Sequence, residues 1–151
     1  MRLVLMSFFF PLLCLGQCVD TLNFPDPFPP CNTDFTPVCG CDGVTYRNAC
    51  YAEFGARLFQ WQEGPCNPVA INIYPNPATN WLFVDIATQF ESDVQIVVFD
   101  RSGNIAYSNN LSSVSRGFIN IPLNGFGRGL YMIMAESNGY VELLKFIRWE
   151  Q

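Results

Sequence analysis

Six of the chain's seven cysteines, Cys18, Cys31, Cys39, Cys41, Cys50 and Cys66, fall within residues 18–66, and none follows them. This density constrains the fold more than any other feature. A stretch of about 50 residues buries too little apolar surface to be stable on its own, and cross-links are the usual remedy. In the chain-entropy model a closed loop of about 15 residues contributes roughly 3 kcal/mol. Six cysteines can pair in many ways, and arithmetic alone does not choose among them.

Whether these cysteines are cross-links depends on the compartment. Arg2, the apolar run from Leu3 to Leu15 and the small residues Cys14 and Gly16 have the form of a secretory leader over residues 1–16, with cleavage expected just before Gln17. The run is shorter than the roughly 20 apolar residues that a membrane span needs. Cleavage takes Cys14 with it, so an even six remain in an exported, oxidising setting. The chain has no histidine, and thiolates in that setting favour disulfides over zinc, so no metal site is expected. The leader also carries away Arg2 and no acid, leaving seven basic and thirteen acidic residues, a net charge of −6. Nucleic acid, which needs clustered Lys and Arg, is excluded as a partner.

The composition changes after Cys66. Asn67-Pro68-Val69-Ala70 is a short, stiff linker, 67–70, because proline disfavours helix. Before it, Val38 and Thr45-Tyr46 flank Gly40-Cys41-Asp42-Gly43, a tight hairpin with Gly43 suited to positive φ. Asn48 suits the N-cap of a short helix through Phe54, with Gly55 as its stop. The proline-rich stretch Asn23–Pro30 reads as an extended surface loop. Beyond the linker, seven short runs alternate as half-buried strands do: Ile71–Tyr74, Trp81–Ala87, Val94–Asp100, Ile105–Tyr107, Gly117–Ile121, Gly129–Ala135 and Tyr140–Arg148. About seven strands in such a length, separated by Asn-Gly and Ser-Gly turns, predict an all-β sandwich.

Catalytic chemistry is not legible. Without histidine there is no Ser-His-Asp or Cys-His arrangement. Each of the six cysteines has a disulfide partner to find, and Glu91 and Asp93 read as solvated turn residues between strands. No glycine-rich loop precedes a helix to hold phosphate. The chain is not expected to be an enzyme, and it implies no cofactor.

Pro37-Val-Cys-Gly-Cys-Asp-Gly-Val-Thr-Tyr-Arg-Asn-Ala-Cys50, with Gly64-Pro65-Cys66 behind it, resembles the signature of Kazal-type serine protease inhibitor domains. It departs from most of them in lacking a cysteine on the helix after Cys50 and carrying Cys41 in the hairpin, as in the Cys-Gly-Cys-Asp-Gly variant of bacterial members. The resemblance covers residues 18–66, in a domain expected over 17–66, and implies a small disulfide-rich α+β module. It implies the pairs Cys31–Cys50 and Cys39–Cys66 and, with them, Cys18–Cys41. It also implies that Asn32, Thr33, Asp34, Phe35 and Thr36 form a substrate-like loop for a serine protease. Thr33–Asp34 would be the scissile bond, and Asn48 would support the loop from behind. Thr33 is small and branched, which implies an elastase-like or subtilisin-like target. The same residue leaves open a non-inhibitory binding or structural module on this scaffold.

Residues 71–151 carry a second resemblance. Ile73-Tyr-Pro-Asn-Pro-Ala-Thr-Asn80, Val97-Val-Phe-Asp-Arg-Ser-Gly103, the stretch Leu123–Tyr131 with Gly127 and Gly129, and a close through Gly139, Lys145-Phe-Ile147 and Glu150 are similar to the C-terminal sorting domain of type IX secretion. That family implies an immunoglobulin-like sandwich recognised by an outer-membrane translocon. A sortase-type peptidase usually removes it, with attachment of the cargo to surface lipopolysaccharide. The expected destination, reached through the periplasm, is therefore the medium or the outer cell surface.

Overall fold

A computed structural model describes residues 18–20 and 29–149. The leader over 1–16, most of the proline-rich loop and Glu150 lie outside the described residues. The chain builds two units, one from the cysteine-rich segment and one from the strand-rich segment.

The first unit is a three-stranded antiparallel sheet with one helical turn. Strands β1 (Val38–Gly40) and β2 (Thr45–Tyr46) form the hairpin, with Val38 opposite Tyr46 and Cys39 opposite Thr45. Gly43 takes φ +77° in its turn, where a side chain would be strained. Gly40 is needed for a different reason. A Cβ there would lie 2.4 Å from Asp42 Oδ1 and 2.5 Å from Leu58 Cδ1. Strand β3 (Trp61–Glu63) pairs with the other side of β1, and its polar, exposed pattern carried no strand signal in the sequence.

The helix is one turn of π-type, Tyr51–Gly55, in which the Ala56 amide reaches back to the Tyr51 carbonyl at 3.0 Å. It ends at the glycine, but the left-handed residue that follows is Arg57, at φ +60°. The buried core is small, Val38, Ala52 and Leu58 with Cys18, Tyr46, Ala49 and Ala56 packed around it. Three disulfides brace it, Cys18–Cys41, Cys31–Cys50 and Cys39–Cys66, with Cα separations of 5.6, 5.7 and 4.6 Å.

The second unit is the β-sandwich. It is built from five continuous strands: β4 (Val69–Tyr74), β5 (Trp81–Phe99), β6 (Ile105–Pro122), β7 (Gly129–Ser137) and β8 (Tyr140–Arg148). The seven expected runs are all present, but β5 and β6 each contain two of them. The first half of β5 pairs with β4 and with the end of β6; its second half pairs with β7 and with the start of β6. Register shifts between Ala87, Ser92 and Val94 mark where the long hairpin turns from one layer into the other. Glu91 and Asp93 are therefore exposed residues of a bulged strand rather than of a loop between strands. β8 pairs with β7 at the edge.

Apolar residues from both layers meet in one core, Leu82, Val84, Ile86, Ile96, Val98, Ile121, Leu123, Ile133 and Phe146 among them. Tyr131 stacks on Phe146 at 5.5 Å. At the far end of the long hairpin, Asp100 closes the turn. Its carboxylate accepts from the Ser102 and Asn104 amides at 2.8 and 2.9 Å and from the Asn104 side chain at 2.9 Å. The opening Pro-Asn-Pro segment returns to the last strand: Asn76 bonds the Lys145 carbonyl and the Ile147 amide, and Ala78 bridges to Arg148. The first and last parts of the sorting pattern, about 70 residues apart, are thus one closure of the sandwich.

The linker expected over 67–70 narrows to Asn67-Pro68. Val69 and Ala70 are already buried in β4, opposite Thr88 and Ala87, and the Val69 side chain packs into the sandwich core. No helix among the described residues is long and apolar enough to cross a membrane.

Candidate functional site: the Asn32–Thr36 loop

The loop leaves Cys31, runs without regular structure, and rejoins the hairpin where the Thr36 amide bonds the Arg47 carbonyl at 3.1 Å. Cys31–Cys50 ties its start to the residue that precedes the helical turn. Asn32, Thr33 and Asp34 are exposed, whereas Phe35 and Thr36 are half-buried. The free ends of Asn32 and Asp34 also meet, Asn32 Nδ2 donating to Asp34 Oδ2 at 3.0 Å.

Beneath the loop lies Asn48, only 5% exposed. Its Nδ2 donates to the Asn32 carbonyl at 3.2 Å, to Asn32 Oδ1 at 2.9 Å and to the Asp34 carbonyl at 3.0 Å. Its Oδ1 meanwhile accepts the Tyr51 amide at 3.3 Å, as a helix cap does. The sequence offered two roles for this residue, cap and loop support. The amide group fills both because its acceptor faces the helix and its donor faces the loop. The carbonyls it holds are those on either side of Thr33.

The Thr33 carbonyl itself is held by Arg47, through Nε at 2.7 Å and through Nη2. Arg47 reaches further: its Nη1 donates to Asn72 Oδ1 on β4 at 2.9 Å. Asn72 Nδ2 then donates to Asp85 Oδ2 at 3.0 Å, and the Tyr74 hydroxyl donates to Asp85 Oδ1 at 3.2 Å. Partial burial beside the Asp85 carboxylate pushes the Tyr74 hydroxyl above the usual phenol range. Arg47, Asn72 and Asp85 had no functional signal in the sequence. Arg47 is adjacent to Asn48 in the Thr-Tyr-Arg-Asn run, and the other two belong to a separate domain.

Asp42 steadies the hairpin below. The Tyr46 hydroxyl donates to it at 2.7 Å and the Val44 amide at 3.1 Å, and the Tyr46 bond holds its carboxyl below the usual carboxylate range.

Two family models match the chain. Residues 72–148, just over half of it, match the secretion system C-terminal sorting domain. Residues 21–66 match the Kazal-type serine protease inhibitor domain. Among solved structures, the sulfur carrier protein SoxY from Chlorobium limicola f thiosulfatophilum is similar over 56% of this chain and 79% of that chain, at 13% identity and a TM-score of 0.34. A likeness at that score carries no argument.

Proposed function

The chain belongs to the secretion system C-terminal sorting domain family and carries a Kazal-type domain ahead of that tail, and from this premise we propose that it is an exported, reversible serine-protease inhibitor acting through the Thr33–Asp34 bond. The sorting domain marks it for secretion or the cell surface, and the Kazal domain marks it as an inhibitor rather than an enzyme. The leader ends before Gln17, the cargo runs to Cys66, and a sortase-type peptidase parts the two domains within the Asn67–Ile71 region. Attachment to surface lipopolysaccharide is the fate of the cargo that stays with the cell.

One observation carries the reading: Asn48 is bonded to both carbonyls that flank Thr33, next to the Cys31–Cys50 bond. A loop fixed this way loses little conformational entropy when a protease binds it. If the bond is cut, its ends stay together and reseal. Thr33 fits elastase-like or broad subtilisin-like pockets better than trypsin-like or chymotrypsin-like ones. That modest side chain favours one second reading, a surface module that binds without inhibiting.

The test uses oxidised residues 17–66 against elastase-, subtilisin-, trypsin- and chymotrypsin-like enzymes, with a Thr33→Leu form alongside. Tight inhibition, with slow cutting confined to Thr33–Asp34, is the expected result. Inhibition by the leucine form alone means a competent loop whose natural target is outside the panel. Failure of both forms with three disulfides in place ends the inhibitor reading in favour of the binding module.

A further inference from the structure

A serine protease attacks the carbonyl of its scissile bond, whose oxygen must enter an oxyanion hole lined with N–H donors. For an inhibitor cut at Thr33–Asp34, that oxygen belongs to Thr33. In the intact chain it already accepts two N–H groups from Arg47. The guanidinium occupies the position that the protease's own donors require, and its fork is a strong, charge-assisted donor.

Arg47 is not held by the loop alone. Its third N–H is fixed by Asn72, a residue of the sorting domain. The orientation of Asn72 is fixed in turn, since its carbonyl oxygen faces the cation and its amide nitrogen faces the Asp85 carboxylate, opposite it in the β4–β5 register. A flipped amide would set donor against donor and oxygen against carboxylate, so the geometry has one satisfied arrangement. The Tyr74 hydroxyl takes the remaining carboxylate oxygen. The row Asp85, Asn72, Arg47, Thr33 thus links the sandwich to the scissile carbonyl through an unbroken run of donor–acceptor contacts.

The same contact takes ground from a protease. A groove of about 570 Å³ is lined by Thr33, Asp34, Phe35 and Thr36 on one side and by Tyr74 and Asp85 on the other, with Arg47 between them. A standard protease–inhibitor interface covers about 800 Å² on each partner. The residues after the scissile bond face the sandwich where an enzyme would seat.

We propose that the sorting domain is a latch: through Asn72 it pins Arg47 across the Thr33 carbonyl, and the inhibitory loop is silent until the two domains are parted. The proposal rests on the inhibitor reading and adds its regulation. Parting the domains removes Asn72 and the wall formed by Tyr74 and Asp85, and leaves Arg47 free to swing off the carbonyl.

The test compares three forms of the oxidised chain, residues 17–151: the parent, Asn72→Ala and Arg47→Ala. Each is made with Thr33 and with Thr33→Leu, and association rates are measured with the elastase- and chymotrypsin-like enzymes. Arg47→Ala alters the loop's own support, so Asn72→Ala, in the other domain, is the deciding variant, and amide exchange along β5 reports that each chain is folded. The expected result is association at least about tenfold faster for Asn72→Ala than for its parent, the value of one charge-assisted hydrogen bond. Equal or slower association, with inhibition present, overturns the latch and leaves the inhibitor reading standing. If no full-length form inhibits, the Leu-bearing Arg47→Ala form included, the latch is overturned because releasing Arg47 does not free the loop, and the inhibitor reading then stands or falls on oxidised residues 17–66 alone.

Discussion

Replacing Asn48 by alanine isolates the residue on which the loop geometry depends. Its amide nitrogen has two hydrogens for three acceptors at 2.9–3.2 Å, so at most two bonds form at full strength. A neutral hydrogen bond contributes about 0.5–1.5 kcal/mol net. The cap to Tyr51, at 3.3 Å, is long and belongs at the lower end of the roughly 0.5–2 kcal/mol that caps contribute. Together these give about 1.5–4 kcal/mol for a side chain too buried for water to replace it. The assay is native-state hydrogen exchange at the Thr36 and Gly40 amides, which bond to Arg47 and Val44 across the hairpin. Exchange there is expected to rise roughly 10- to 700-fold. Asn48→Asp keeps the acceptor for Tyr51 but sets a carboxylate oxygen against the loop carbonyls, so its loop amides are expected to exchange at least as fast as those of the alanine form. A rise of less than about threefold in Asn48→Ala, below the worth of one ordinary bond, with disulfides intact, would refute this account of the loop.

Gly40→Ala is expected to cost about 1–3 kcal/mol through overpacking, since the new methyl meets Asp42, Leu58 and Tyr46 within 3 Å; an unchanged denaturation midpoint would show that the hairpin has slack there. Phe146→Ala, at a fully buried ring, is expected to remove about 3–5 kcal/mol from the sandwich, read as a lowered thermal midpoint. Tyr46→Phe is expected to raise the Asp42 titration midpoint toward the ordinary carboxylate value, measured by NMR. Because the folded value is depressed, the stability from that bond is present above the unfolded carboxylate pKa and lost as pH falls through the folded one. An unmoved midpoint would mean that the bond does not form in solution.

What was legible in the sequence was whatever leaves a local mark. Cysteine spacing and the Asp-Gly turn announced the hairpin, and alternation announced the runs that form the sandwich. Asn48 was visible as a cap because a polar residue ahead of a helix has few uses, and as a loop support only through the family resemblance. β3 was not legible, because Trp61, Gln62 and Glu63 lie on an exposed edge and carry no alternation. The fusion of strands across residues 88–93 was hidden as well. Gln89, Glu91, Ser92 and Asp93 look like a loop, and only the bulged pairing with β6 keeps the strand running. Arg47 was not legible for a third reason. A lone arginine beside a hairpin is ordinarily solvated, and its partner Asn72 lies 25 positions away in another domain.

Because β5 and β6 each cross from one layer of the sandwich to the other, both layers grow from a single turn. A sandwich whose sheets are joined by long crossovers must close large loops before its core forms, and such topologies fold slowly. Here the Asp100-centred turn brings together the first pairs, Phe99 with Ile105 and Val98 with Tyr107. Zipping outward from it lays down one layer and then, past the bulge, the other. Strand β4 joins this hairpin through short-range pairing with β5, and β8 joins β7 in the same way. Docking β7 against β5 is the main long-range step left. A domain with this order of pairing can therefore assemble from local contacts, starting at one well-bonded corner.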